Sequence, residues 1–210
     1  MEFNNDTNQN MALYISNKGD ILSIYSKHHL IPIVEKDYTK GVGDVKILDT
    51  DIGKLAFVIC YDNDFPNFIN SISRNHIDLL IDLSWDYPGI AEFHSNEARY
   101  RAIEGGFNLV KNTAHGITMS SSYKGVIIST YTSKECEDYF VVSNINNHGV
   151  RTVYSYIGIF CNYFYLLVII ILILHEKFSK NGSGLKKEKV INLKTEKLID
   201  LRESGAESNK

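Results

Sequence analysis

Cys60 is the residue of this 210-residue chain best placed for covalent chemistry. It ends the apolar run 55–60, which predicts a strand buried on both faces, and a predicted helix follows soon after. A thiol at such a strand end can face the crevice where open α/β sheets bind ligands. Helix N-terminal amides can also lower its pKa and make it nucleophilic. The residue alone leaves open the alternative of a cysteine packed as a small apolar side chain.

Lys27 and Glu35 are two further candidates, and they follow a predicted strand that ends near Tyr25. A lysine at a strand end can donate to an oxyanion, although a solvated surface charge is the simpler interpretation of its position. Glu35 lies eight residues further along, in a loop, where a surface position is again the simpler interpretation.

Composition and motif spacing exclude several classes of function. The seven histidines and three cysteines show neither HExxH nor paired CxxC spacing, so we predict no metal and no cofactor. Three isolated thiols also make no disulfide framework. Residues 1–150 carry 12 Lys or Arg against 19 Asp or Glu, and this acidic balance argues against a nucleic-acid partner.

Apolar strands that alternate with two helices must position these side chains. Alternating apolar residues about the polar turn 17–20 predict a β-hairpin, and the later pattern predicts an α/β layered sheet. The predicted strands are 12–15, 21–25, 46–48, 55–60, 77–83, 109–112, 126–130 and 139–143, and the predicted helices are 64–75 and 92–107.

The segment between Arg151 and His175 carries no charged residue and no histidine. Its length suffices for a helix across roughly 30 Å of hydrocarbon, so we predict a transmembrane helix at 152–174, with a buried core element as the alternative. The tail 175–210 is basic and is therefore predicted to be cytoplasmic. One crossing then places the domain 1–150 on the extracytoplasmic side of the cell membrane. The first ten residues have neither a basic nor an apolar signal region, so the alternatives are a reversed orientation or an upstream membrane-embedded portion that is missing from this chain.

Taken together, these segments resemble the carbon–nitrogen hydrolase (nitrilase) superfamily and, within it, the membrane-bound apolipoprotein N-acyltransferases. The matching stretches keep their order over roughly residues 10–130. They are 10–13 with Gly19, 25–32 with Glu35, Gly53 with Lys54, 58–66, 84–89, 99–106 and 112–118.

The resemblance implies a partial αββα sandwich and a Glu-Lys-Cys triad. Carried over, Cys60 is the nucleophile that forms a thioester, and Lys27 stabilises the tetrahedral oxyanion. Glu35 matches a second, supporting glutamate of the acyltransferase branch. Tyr61 is a supporting neighbour of the nucleophile, and Asp62 stands where that branch usually has a glutamate. In that branch a phospholipid is the acyl donor, and the N-terminal amine of a lipoprotein is the acceptor.

The general-base glutamate that the resemblance implies has no counterpart before Lys27. Only Glu2 precedes it, and no strand precedes Glu2. We therefore expect the chain to correspond to the C-terminal portion of such an enzyme and to be impaired alone, since one acid–base group is worth roughly 10²–10⁴-fold in rate.

Three functions remain open at this point. The first is an apolipoprotein N-acyltransferase-like activity at the membrane. The second is a membrane-anchored nitrilase-type amidase that hydrolyses a small amide. The third is a non-catalytic remnant, or a subunit whose N-terminal half comes from another chain.

Overall fold

The computed structural model describes residues 8–132, 140–158, 160–161 and 163–178. They fall into two units, one that extends to Ile159 and one that begins at Phe160. The strands of the first unit are β1 (Met11–Ile15), β2 (Ile21–Ser26), β3 (Leu48–Thr50), β4 (Gly53–Val58), β5 (Leu79–Trp85), β6 (Asn108–Ala114), β7 (Ile117–Ser121) and β8 (Ile127–Thr132). Its helical segments are the 3₁₀ turn Cys60–Asp64, α1 (Pro66–Ser73), α2 (Ala91–Gly105) and residues 154–158.

Six strands form one sheet in the order β3-β4-β5-β6-β7-β8, and β1 and β2 form a separate antiparallel hairpin. The central strands β4, β5 and β6 are parallel. Parallel neighbours need crossover connections, which α1 and α2 supply. The C-terminal ends of the three central strands therefore meet at one edge of the sheet, where the residues after β4 and β5 come together.

The two faces of the sheet bury different partners. Alternate residues of β4 point to opposite faces. Ala56 and Val58 belong to the cluster that includes apolar residues of α1 and α2, whereas Leu55 and Phe57 pack with Ala12 and Tyr25 of the hairpin. All four β4 residues are buried. This two-sided burial is the reason that the segment lacks polar alternation, and it confirms the prediction of a buried strand before Cys60.

Most predicted elements are present with shifted ends. The hairpin, both helices and the strands near 109–112 and 126–130 are confirmed. Helix α2 is capped by Gly106, which adopts a left-handed φ of 75°. The strand predicted at 77–83 lies two residues later. Residues 117–121 form a strand, β7, that the sequence pattern did not predict. The strand predicted at 139–143 is wrong for its described residues, since 140–143 are not in a strand.

The second unit is helical over its described residues 160–161 and 163–178, and most of its large apolar side chains there are exposed. The prediction of a transmembrane helix at 152–174 is not supported: no helix among the described residues is both long and apolar enough to cross a membrane. Most of the tail predicted at 175–210 lies outside the described residues. The α/β part of the predicted fold is present.

Candidate active site

Cys60 lies at the first position of the 3₁₀ turn that follows β4, two residues beyond the end of the strand. Its φ is +51°, in the left-handed region that residues with a Cβ seldom adopt. Such a conformation persists only where surrounding contacts hold it. The residue is 7% exposed, so its thiol is buried at the sheet edge, where the ends of β4 and β5 meet.

Three groups from β5 and the residue after it contact Cys60. The backbone N–H of Cys60 donates to Asp82 Oδ1 at 3.0 Å. Its thiol lies 3.9 Å from the carbonyl oxygen of Trp85 and 4.0 Å from Asp86 Oδ1, both within reach of a weak S–H donor. Burial raises the pKa of the Cys60 thiol, and the ammonium groups of Lys27 and Lys111 act in the opposite direction.

Lys27 follows β2 directly, and its side chain forms a buried ion pair with Glu35. Lys27 Nζ donates to Glu35 Oε2 at 2.7 Å. Glu35 also accepts from the backbone N–H of Ile31 at 2.7 Å and from Asn10 Nδ2 at 2.9 Å. Burial alone would raise the pKa of Glu35, but these three donors more than offset it and lower that pKa. Glu35 is therefore a fixed carboxylate with three partners rather than a surface residue.

Two cavities open beside Cys60. One of about 520 Å³ is lined by Lys27, Glu35 and Cys60, together with Asn10 and Asn112. A second, of about 260 Å³, has an almost wholly apolar wall beside α2. Its lining residues are Ile31, Cys60, Tyr61, Asp64, Trp85, Tyr87, Ile90, Phe93 and His94. The structure therefore brings Cys60 and Lys27, predicted from sequence, to one cavity together with Glu35.

Asp62 connects the turn of Cys60 to the segment that carries Lys27. The carboxylate is fully buried, and its Oδ2 accepts from the hydroxyl of Tyr25 at 2.7 Å and from the N–H of Ile59 at 3.2 Å. Its Oδ1 accepts from the backbone N–H of His29 at 2.8 Å and contacts His29 Nδ1 at 3.0 Å. Asp62 therefore joins the end of β4 to residues on both sides of Lys27.

Tyr61, the remaining predicted site residue, is half-buried beside the apolar cavity. Its ring packs edge-on against Phe65 with the centroids 5.2 Å apart. Phe65 in turn stacks on His29 at 3.6 Å. The five predicted site residues thus occupy one continuous region around the end of β4.

A buried charged cluster behind Cys60 escaped the sequence analysis. Lys111 of β6 lies 3.2 Å from both Asp82 and Asp86, and His94 of α2 contacts Asp86 at 2.7 Å and Asp64 at 3.0 Å. The available signal was the position of Asp82 and Lys111 in adjacent apolar strands, since polar residues inside buried strands need partners.

The cluster contains ligand types that bind metals. One such atom from each of Cys60, Asp86 and His94 lies within 4.8 Å of the others. However, Lys111 Nζ is 3.2 Å from Asp86 Oδ2 and 3.4 Å from His94 Nδ1. An ammonium in that position opposes a divalent cation by direct repulsion, so the geometry favours an internal ion-pair network.

Comparison with known proteins gives one family match and several partial relatives. The family model for carbon–nitrogen hydrolases matches residues 1–148. The apolipoprotein N-acyltransferase of Borreliella burgdorferi is 26% identical over 215 residues, which covers 89% of this chain and 40% of that protein. A probable nitrilase of Schizosaccharomyces pombe is 35% identical over 80 residues, covering 38% of this chain and 29% of that protein.

A solved amidase from Nesterenkonia has a similar fold. It superposes with a TM-score of 0.56 at 18% identity, and the match covers 59% of this chain and 51% of the amidase. This chain therefore spans about half of that structure and at most two fifths of the two curated relatives.

We predict that Asp62→Ala lowers the free energy of unfolding by about 3 kcal/mol, because it leaves several buried donors without an acceptor. Urea unfolding measures the change. The exposed Asp51→Ala is the matched control and should lie within about 0.5 kcal/mol of wild type. A loss below 1 kcal/mol for Asp62→Ala would show that the carboxylate does not hold these segments together.

His94 predicts a pH dependence of stability. Burial alone would lower its pKa, but Asp64 and Asp86 raise it to about 9. Because the folded-state pKa lies above the unfolded value, the stabilisation is fully present below about pH 6.5 and is lost as the pH rises through 9. We expect the free energy of unfolding to fall by about 3 kcal/mol over this interval.

The test is urea unfolding at a series of pH values. His94→Gln should flatten the curve, whereas the exposed His148→Gln should keep the wild-type slope. An unchanged slope in His94→Gln would contradict the assignment of this dependence to the Asp64–His94–Asp86 contacts.

Proposed function

The chain belongs to the carbon–nitrogen hydrolase family, and from that premise we propose that it transfers an acyl group through a thioester on Cys60. The observation that carries the proposal is geometric. A buried cysteine in a left-handed conformation shares one cavity with a buried lysine that is paired to a fixed carboxylate. Activated thiols and oxyanion donors in acyl transfer have this kind of arrangement.

The reaction balances as two displacements at one carbonyl carbon. The sulfur of Cys60 attacks the donor carbonyl, and the oxygen that becomes negative is stabilised by the ammonium of Lys27. Collapse breaks the bond to the leaving group, which departs with the proton of the thiol. An acceptor amine then attacks the thioester, forming the C–N bond, breaking the C–S bond and returning a proton to the sulfur.

We propose that a phospholipid is the donor and that the N-terminal amine of a lipoprotein is the acceptor. Support comes from relatives of the N-acyltransferase type, including those of Borreliella burgdorferi and Treponema denticola. The apolar cavity beside Cys60 is also consistent with an acyl group of low polarity. The supporting roles of Glu35, Tyr61 and Asp62 are to hold Lys27 and the turn of Cys60 in place.

We further propose that Glu35 holds Lys27 in place and is not the general base of the reaction. It accepts three hydrogen bonds and has a lowered pKa, which makes it a poor proton acceptor.

A second candidate function is hydrolysis of a small amide, with water in place of the amine. The larger cavity favours it, because amide and carboxylate side chains of Asn10, Glu35 and Asn112 line its walls. Such groups recognise a small polar substrate. The Nesterenkonia protein of similar fold is an amidase.

Mass spectrometry of the intact chain tests these proposals after incubation with phospholipid vesicles. We expect an acyl adduct that hydroxylamine removes, no adduct in Cys60→Ala, and at least a tenfold slower appearance in Lys27→Met. Cys161→Ala is the matched control and should acylate like wild type. A synthetic lipopeptide with a free N-terminal amine should discharge the adduct.

The outcomes separate the three functions. Turnover of butyramide with no phospholipid adduct would favour the amidase. A chain that forms no adduct with phospholipid and does not turn over butyramide would favour a non-catalytic protein. An acyl adduct that persists in Cys60→Ala would refute Cys60 as the nucleophile.

Location supplies an independent test, because the acyltransferase proposal includes an extracytoplasmic position for the domain 1–150. In spheroplasts that produce the chain, added protease should digest the domain 1–150 while a cytoplasmic marker protein stays intact. Protection of the domain until the spheroplasts are lysed would contradict the acyltransferase proposal and leave the amidase proposal standing.

A further inference from the structure

Lys111 is a fully buried lysine on the helix-facing side of the sheet. Its Nζ donates to Ser84 Oγ at 2.7 Å, and it pairs with the carboxylates of Asp82 and Asp86 at 3.2 Å each. Burial alone would lower its pKa, but those two carboxylates more than offset it and raise the pKa, so the side chain is charged.

The same two carboxylates are the groups that contact Cys60. Asp82 accepts from the backbone N–H of Cys60 at 3.0 Å, and Asp86 lies 4.0 Å from its thiol. They use their Oδ1 atoms for Cys60 and their Oδ2 atoms for Lys111. The ammonium of Lys111 therefore bridges Asp82, which accepts from the backbone N–H of Cys60, and Asp86, which faces the sulfur.

Sheet register places these residues together. Asp82 of β5 is directly opposite Lys111 of β6, and Ser84 lies two residues further along the same face of β5. Asp86 follows β5, and its backbone N–H donates to the carbonyl oxygen of Ala114, which ends β6. Because β4 and β5 are parallel, these groups arrive at the sheet edge where Cys60 begins its turn.

We propose that Lys111 is a positioning residue for the nucleophile: through Asp82 and Asp86 it maintains the left-handed turn of Cys60 and offsets the negative charge around the sulfur. This inference rests on the proposed role of Cys60. Lys111 lies behind the nucleophile and does not line either of the two cavities beside Cys60, so it acts through the two carboxylates.

Charged groups reach Cys60 from every element packed around it. Lys27 approaches from the hairpin side, and Lys111 from β6. The charged groups around Cys60 are Lys27 and Glu35 after β2, Asp62 and Asp64 in the 3₁₀ turn, Asp82 in β5, Asp86 after β5, His94 in α2 and Lys111 in β6.

Removal of the ammonium leaves Asp82 and Asp86 with only His94 and hydroxyl or N–H donors as partners. Two carboxylates near the sulfur then oppose thiolate formation more strongly, and the pKa of Cys60 rises. Asp82→Asn has the opposite electrostatic effect, because its amide oxygen still accepts from the N–H of Cys60 while the negative charge is gone. Opposite shifts of the Cys60 pKa in Lys111→Met and Asp82→Asn distinguish an electrostatic role of Lys111 from a general loss of packing.

The test is the rate of iodoacetamide alkylation of the full-length chain between pH 6 and 10, with the modified cysteine located by peptide mass spectrometry. At pH 7.5 we expect Lys111→Met to react about tenfold more slowly than wild type and Asp82→Asn several-fold faster, since thiolate content changes tenfold per pKa unit. The exposed Lys124→Met is the matched control and should reproduce the wild-type profile. In 8 M urea all four chains should react at one rate.

The results separate this inference from the function on which it rests. If Cys60 of the folded wild-type chain takes up no acyl group from phospholipid vesicles, the nucleophile itself is refuted. If Cys60 is acylated but its alkylation profile is unchanged in both Asp82→Asn and Lys111→Met, the role of Lys111 is refuted and the nucleophile stands. If circular dichroism shows that Lys111→Met does not fold, the test rests on Asp82→Asn. A pKa of Cys60 in Asp82→Asn that is higher than, or equal to, the wild-type value would then overturn the proposal.

Discussion

The left-handed turn at Cys60 is the constraint on which the arrangement of the site depends. A residue with a Cβ at φ +51° is stable only because its neighbours fix it from two sides. Asp82 holds its N–H from the helix-facing side of the sheet, and Asp62 holds the N–H of Ile59 just before it. Since Asp62 also binds Tyr25 and His29, the turn and the Lys27 segment are fixed by one carboxylate.

Buried charged side chains beneath α2 take the place of apolar packing, and their burial costs free energy. Away from the site, the helix-facing layer of the sheet is formed by apolar side chains such as Val58, Leu80 and Leu109. At the strand ends the same layer contains Lys111 and three carboxylates with His94. Burial of charged groups lowers stability unless each group is paired. Removal of one partner of a buried pair destabilises a protein more than replacement of the whole set by apolar side chains. The cluster is therefore better explained by its contacts with Cys60 than by stability.

The apolar framework could be predicted from the sequence, because burial and turn chemistry act locally along the chain. The five site residues, Lys27, Glu35, Cys60, Tyr61 and Asp62, were predicted together only through the family resemblance. Sequence reasoning failed where long-range pairing decides the outcome. The strand β7 has a polar sequence, Ile117–Ser121, and is held by its neighbours β6 and β8. The cluster at Lys111 likewise depends on the register of β5 against β6. The loop position of Glu35 alone suggested a surface residue, because the fold of that loop, which brings Asn10, Lys27 and the N–H of Ile31 to its carboxylate, is not visible in the sequence.

Two lysines approach the sulfur of Cys60 from opposite faces of the sheet, and their surroundings assign them different tasks. Lys27 has one carboxylate partner and lines the larger cavity, so an oxygen of a bound substrate can share its ammonium. Lys111 is fully buried, and its ammonium is already engaged by two carboxylates and a hydroxyl. Of the two, only Lys27 can therefore respond to charge that develops on a substrate. Lys111 holds a fixed charge in place before the substrate arrives, which is the form of electrostatic support that requires no rearrangement during the reaction.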